Sequence, residues 1–249
     1  MFLIKYLLAE SDRYSGIGIP EETKERKRLL RSLMNVREPK APGGEFIKIQ
    51  DEYLKGEIVE KGITDADELP FAENRISLWQ GDITTLKCGA IVNAANSAML
   101  GCFVPCHGCI DNAIHTFSGV GLRLECAAIM EKQGSLEPAG RAKITKAYDL
   151  PCDYILHTVG PITDGHLTER HRALLASCYN SCMDIAEQRG IKSVAFPCIS
   201  TGEFRFPNEK AAEIAVKTVR KRLENSTVER VIFNVFKDED RRIYEKLLG

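Results

Sequence analysis

The chain is 249 residues long, 44% apolar and 28% charged, with 34 Lys+Arg against 35 Asp+Glu. That apolar share supports a sizeable core and excludes wholesale disorder, and a net charge of −1 supplies no global pull toward nucleic acid or an anionic membrane. Nine cysteines, an odd count in a chain too long to need disulfide staples, fit free thiols or a metal site better than a disulfide framework.

The apolar run 1–9 is interrupted by Lys5 and falls far short of the ~20 residues of a membrane span. It has neither a basic start nor a small-residue cleavage site, so a soluble cytoplasmic protein is expected. Residues 1–70 form a first region. A helix is expected over 20–34, with Pro20, Glu21 and Glu22 at its start and basic residues following, as the macrodipole prefers. Leu29, Leu30, Leu33 and Met34 give it one apolar stripe. After the punctuated linker 39–44, a second amphipathic helix is expected over 46–59. No chemistry is visible in this region. A helical extension packed on the main domain is expected rather than a partner-binding arm.

The main domain spans 71–249, and from residue 76 strands and helices alternate. Strands are expected at 76–80, 90–93, 142–148, 154–159, 192–197 and 230–236. Helices are expected at 120–133, 167–188, 207–223 and 238–248, the second of them ended by Arg189-Gly190. This rhythm argues for an α/β sheet covered by helices. In such sheets ligands bind beyond the carboxyl ends of strands, and polar, small and metal-binding residues gather after these strands.

The segment 101–109 holds Cys102, Cys106, His107 and Cys109. Zn²⁺ takes thiolate and imidazole ligands. His107 and Cys109, two apart, point the same way on extended backbone, whereas Cys106 and His107 point apart. Cys102, His107 and Cys109 make the better triplet, with a vacant fourth position as in a catalytic site. A closed four-ligand site using Cys106, or simply reduced thiols, are the alternatives.

Ser200-Thr201-Gly202-Glu203-Phe204 lies between a strand and a helix, where hydroxyls and free amides can cradle phosphate. Ser118-Gly119-Val120-Gly121 also precedes a helix, so the two turns are candidates to grip a pyrophosphate together. P-loop and dinucleotide fingerprints are absent. Asp82 suits an exocyclic amine or an N-cap. Asn96 suits sugar hydroxyls or a turn. Asp111 suits a water activated beside a metal, or an N-cap for the turn 112–117. His115 and His157, in apolar settings, read as structural.

Together, Gly81-Asp-Ile-Thr84, Ala90-Ile-Val-Asn-Ala-Ala-Asn96, Ile110-Asp-Asn-Ala-Ile-His115, Gly121-Leu-Arg-Leu-Glu-Cys126, His157-Thr-Val-Gly-Pro161 and Ser200-Thr-Gly-Glu-Phe204 resemble a macrodomain over residues 75–249. The resemblance implies a three-layer α/β/α domain with a mixed central sheet that binds ADP-ribose. It places Asp82 and the Ile83 backbone at the adenine, and Asn96 and Asp111 at the distal ribose. It places Ser118, Gly119, Val120, Gly121, Ser200, Thr201, Gly202 and Glu203 at the diphosphate, with Phe204 against the distal ribose. Segment 101–109 departs from the glycine-rich loop of the commonest hydrolytic members and resembles the zinc-dependent bacterial and fungal subgroup, which also carries an N-terminal helical extension.

That subgroup implies Zn²⁺ on Cys102, His107 and Cys109, and removal of mono-ADP-ribose from protein side chains, acidic ones foremost. It further implies pairing with a sirtuin-type ADP-ribosyltransferase that modifies a lipoyl-carrier protein related to glycine-cleavage protein H. Nucleic acid and membrane are not expected partners. The rival readings are a non-catalytic ADP-ribose reader with structural zinc, a hydrolase of small derivatives such as O-acetyl-ADP-ribose or ADP-ribose 1″-phosphate, and a thiol redox switch.

Overall fold

The computed structural model describes residues 1–249. The extension forms three helices, α1 (Phe2–Ala9), α2 (Thr23–Val36) and α3 (Gly44–Lys61). Helix α1 was not expected. Its apolar residues Leu3, Ile4 and Leu7 fall on one helical face and are buried. Helix α2 begins at Thr23 rather than at Pro20; Glu22 occupies the cap position without a side-chain bond. After α3 the short strand β1 (Thr64–Asp65) runs parallel to β3 (Leu86–Lys87) and ties the chain to the main domain.

The main sheet contains β2 (Ile76–Gln80), β4 (Ala90–Ala95), β5 (Ala142–Lys146), β6 (Tyr154–Val159), β7 (Ser193–Phe196) and β8 (Arg230–Val235). Their spatial order is β2-β8-β7-β4-β6-β5. Every neighbouring pair is parallel except β5 with β6, so the sheet is mixed. The sequence reading carried β5 to Tyr148. The strand stops at Lys146, and Tyr148 has a left-handed φ of 57°, which turns the chain out of the ladder.

Side-chain alternation divides the core in two. Val92, Leu156 and Phe233 face α6 (Glu169–Gln188), α7 (Asn208–Leu223) and α8 (Asp238–Leu248), where they meet Tyr179, Val216 and Tyr244. Their neighbours Ile91, Ile155 and Ile232 face α4 (Ile110–Phe117) and α5 (Val120–Gln133), where they meet Ile114 and Leu122. Burial on both faces suits a largely parallel sheet and yields the three-layer α/β/α fold.

The extension shares a third apolar cluster with the domain: Leu7, Leu30, Leu33, Phe46 and Leu54 pack with Val120. Polar contacts fix the seam. Val120 N–H donates to Gln50 Oε1 at 2.9 Å. The Arg123 guanidinium donates to the carbonyls of Met34, Asn35 and Arg37, closing the C-terminal end of α2. No helix is long and apolar enough to cross a membrane.

One seam contact is repulsive. Burial pushes the Asp149 carboxyl up to about 7, and the nearby Asp51 of α3 adds to the rise. Unfolded, the same group titrates near 3.8. The folded state therefore binds the extra proton, and its contribution to stability, complete below the unfolded value, is lost as pH rises through the folded one. Denaturant midpoints are expected to fall as pH rises between about 4 and 7, and Asp149→Asn should flatten that slope; equal slopes in the two proteins would refute the assignment.

Candidate active site

Five loops leave the carboxyl ends of adjacent parallel strands, after β2, β8, β7, β4 and β6. The loop after β4 carries the Cys/His segment. The donor atoms of Cys102, His107 and Cys109 lie within 4.8 Å of one another, with Cys102 Sγ 3.6 Å from His107 Nδ1. Cys109 caps α4, its Sγ accepting the Asn112 N–H at 3.4 Å. Burial pushes the Cys109 thiol up to about 12, so a thiolate there calls for a compensating cation.

Cys106 points elsewhere. Its φ is 52°, and its Sγ lies 3.2 Å from Ser32 Oγ and 3.5 Å from the Arg28 carbonyl of α2. Three donors converge, two sulfurs and one nitrogen, and this set fits a zinc ion with one position left open. All nine cysteines are free thiols. His115, Cys126 and His157 also lie close together. Both ring nitrogens of His157 are engaged, with Asn93 Nδ2 at 3.1 Å and Thr145 Oγ1 at 2.9 Å. Burial lowers the pKa of both imidazoles, and they serve the core as neutral rings.

Asp111 lies on the first turn of α4 and is buried. Asn93 Nδ2 donates to its Oδ1 at 2.8 Å and Asn96 Nδ2 to its Oδ2 at 3.1 Å. Burial pushes its carboxyl up to about 6 against these amides. Asp111 is not an N-cap; Cys109 holds that place. Asn96 also donates to the Gly101 carbonyl at 3.1 Å, while its Oδ1 accepts the Ala98 N–H at 3.0 Å. It therefore ties the carboxylate to the start of the metal-ligating turn.

The loop after β7 faces that turn, with Glu203 Oε1 3.6 Å from His107 Nε2. Its shape is held by Arg205 N–H on the Gly202 carbonyl, Phe206 N–H on the Ser200 carbonyl, and Thr163 on the carbonyls of Phe204 and Arg205. The amides of Gly202, Glu203 and Phe204 donate to no protein acceptor. Three successive N–H groups are thus left free in this turn, as binding an anion there would require. Ser200 is left-handed, with φ 67°, and its buried hydroxyl has no partner; Thr201 bonds back to Cys198.

Asp82 caps a 3-10 turn, Ile83–Thr85, through Thr84 N–H and hydroxyl, and pairs with Lys61 Nζ at 2.8 Å. Burial would raise its pKa, but Lys61 and Thr84 outweigh that and hold the carboxyl below its usual value. Ile83 is buried beside it. Phe236, which the sequence reading passed over, directly follows β8 and is 76% exposed. It adjoins the Asp82 loop, since Gly81 N–H donates to the Val235 carbonyl at 3.1 Å. A lone aromatic just past a buried strand was the available signal.

Ser118, Gly119, Val120 and Gly121 do not join the other turn. Helix α4 separates them from Cys109 by eight residues, about 12 Å of helix. They face the extension and Tyr148: Gln50 takes the Val120 amide, and a Cβ on Gly119 would fall 2.4 Å from Gln50 Nε2. The pyrophosphate role expected for this turn has no free amide at Val120 to serve it.

A turn with three free amides, a buried carboxylate and a three-donor turn thus lie together along the carboxyl edge of an open α/β sheet, the edge at which such sheets bind ligands. The Macro domain family model matches residues 92–215. A protein-ADP-ribose hydrolase of Treponema medium is 54% identical over 100% of this chain and 97% of its own length. One from Staphylococcus aureus is 45% identical over 98% of this chain and 93% of its own. A Trypanosoma brucei macrodomain in complex with ADP-ribose superposes with a TM-score of 0.69 at 28% identity, covering 92% of this chain and 97% of that one. The chain belongs to the macrodomain family and is one of its hydrolases.

The loop after β6 constrains the 200–206 turn. A Cβ on Gly160 would fall 1.9 Å from Ser200 Oγ. Gly160→Ala is expected to cost about 1–3 kcal/mol through overpacking, read as a lower midpoint in thermal unfolding; an unchanged midpoint would show that the 200–206 turn yields freely.

Proposed function

We propose that this protein is a zinc-dependent protein-ADP-ribose hydrolase that removes mono-ADP-ribose from modified side chains of proteins, acidic ones foremost. The observation that carries the reading is the convergence of Cys102, His107 and Cys109 on the turn that Asn96 ties to Asp111. Relatives named protein-ADP-ribose hydrolase align over 100% and 98% of this chain, extension included, which supports the hydrolase part of the reading.

In this reading Asp82 accepts the adenine amine, and exposed Phe236 offers a face for the base to stack on. The amides of Gly202, Glu203 and Phe204 hold the diphosphate. That remote binding energy positions the distal ribose between the two facing loops. Zinc on Cys102, His107 and Cys109 would supply a Lewis acid beside that sugar. Asn96 and Asn93 fix the Asp111 carboxylate, each oxygen keeping a further lone pair for a water or ribose hydroxyl. Asp111 then orients that water and takes its proton as the glycosidic bond to the side chain breaks. The resemblance, rather than any contact in the fold, supports a lipoyl-carrier protein as substrate, a sirtuin-type transferase as the writer of the modification, and a cytoplasmic setting in which the thiols stay reduced.

ADP-ribose release from a modified protein should stop when zinc is stripped by a chelator and return on its restoration. Full turnover by protein shown zinc-free by elemental analysis would remove the metal from the mechanism. Binding of ADP-ribose without any turnover would make the protein a reader. Asp111→Ala, with zinc content intact, is expected to lose on the order of 10²-fold or more in rate, and near-normal turnover would leave Asp111 a structural group. Cys106→Ser should retain one zinc per chain; loss of the metal would show that the fourth position is closed by protein.

A further inference from the structure

The turn 101–109 carries the three donors yet lies outside helix and strand. A segment without regular structure must find other partners for its backbone polar groups, and its shape is only as definite as those partners. They come from Asn96 at its first residue, from α4 and, beyond it, from the N-terminal extension. Asn112, fully buried, donates through Nδ2 to the carbonyls of Cys102 at 3.3 Å and Val104 at 2.9 Å. Arg31 of α2 donates through Nη2 both to the His107 carbonyl, at 3.1 Å, and to Asn112 Oδ1, at 2.8 Å. One guanidinium nitrogen thus clamps a donor residue and the amide that clamps the rest of the turn.

Asn35, one helical turn further on and buried, completes the grip. Its Oδ1 accepts the Cys106 N–H at 2.9 Å, and its Nδ2 donates to Thr116 Oγ1 at 2.8 Å. The Thr116 hydroxyl in turn donates to the Asn112 carbonyl at 2.7 Å. Arg28, through its carbonyl, and Ser32, through its hydroxyl, meet the Cys106 sulfur. Residues 28, 31, 32 and 35 share one face of α2, and that face is turned to the metal-ligating turn.

We propose that α2 is part of the metal centre, with Arg31 and Asn35 as positioning residues that hold Cys102, His107 and Cys109 in ligating geometry. This rests on the zinc reading above. An extension that only covered apolar surface would need no donor aimed at the His107 carbonyl. Holding the turn from outside the sheet lowers the ordering required when the ion binds, so the interaction is read in zinc affinity.

The test measures the zinc dissociation constant by competition with a chromogenic chelator, for wild type, Arg31→Met and Arg31→Lys. Loss of an outer-shell partner typically weakens binding about 10–100-fold. Arg31→Met is expected to show that loss, and Arg31→Lys, with one ammonium in place of the planar fork, a smaller one. ADP, which reaches Asp82 and the free amides after β7 but carries no distal ribose, should bind all three proteins alike by calorimetry. The zinc-induced rise in melting temperature should shrink in step with affinity. Arg31→Met that folds, binds ADP normally and takes zinc with the wild-type constant would overturn the proposal. Should Arg31→Met fail to fold, Arg31→Lys decides, and an unchanged constant there overturns it equally. Wild-type protein that binds no zinc would overturn the underlying reading and this inference with it, a result distinct from zinc bound equally well by every variant.

Discussion

A buried carboxylate at the end of a buried strand sets the terms for the rest of the site. β4 lies inside the sheet, and Asn93 on it is fully buried. A polar side chain there must find a partner, and Asn93 meets Asp111. Asn96, just past the strand, meets the other oxygen of the same group. Two amides on one carboxylate fix where α4 begins relative to β4. Because Cys109 is the cap of α4, they also fix one thiol of the Cys102–His107–Cys109 cluster. Gly101, at the other end of the turn, is held by the same Asn96. The nine residues from Gly101 to Cys109 are therefore a loop whose two ends are anchored to one buried ionisable group, and the turn after β7 faces it through Glu203 and His107.

Much of this was legible in the sequence because the signals are local. Buried parallel strands read as short apolar runs, and Arg189-Gly190 stops a long helix, with Gly190 at a left-handed φ of 68°. Side-chain direction on an extended chain was the sequence argument for setting Cys106 apart from His107 and Cys109; the structure has a turn with a left-handed Cys106 there, and the donor atoms of Cys102, His107 and Cys109 lie together all the same. What was not legible depends on contacts across long stretches of chain. Arg31 reaches His107 over 76 positions and Gln50 reaches Val120 over 70. Neither leaves a periodicity or a motif, and a charged amphipathic helix such as α2 looks in sequence like any solvated one. Ser118-Gly119 misled for a related reason. Gly before a helix marks a turn whatever the turn faces, and here it faces Gln50.

The same long-range contacts explain why the extension and the domain form one unit. Arg123 binds three carbonyls at the end of α2 and the Leu100 carbonyl beside the turn. Its guanidinium thus closes the buried end of α2 and braces the entrance to the Cys/His turn at once. Burial disfavours its charge, and the carbonyl dipoles, with Asp111 nearby, offset that cost. Opposite it, the buried Asp149 beside Asp51 works against the seam. Apolar packing and directional bonds hold the seam, and two ion pairs cross it as well, Lys55 with that same Asp149 at 3.5 Å and Lys61 with Asp82 at 2.8 Å.

A three-donor site gains from being held by groups that do not themselves ligate. Strand ends are stiff but present few side chains, whereas a loop can present three donors only if something else restrains it. In this fold the restraint comes from both sides: from the sheet through Asn96 at Gly101, and from α2 through Arg31 at His107 and Asn35 at Cys106. Cys106, the one further sulfur in the turn, lies against Ser32 of the extension and stays out of the Cys102–His107–Cys109 cluster. Without α2 the turn would keep its anchor at Asn96 and lose its contacts with Arg31, Ser32 and Asn35.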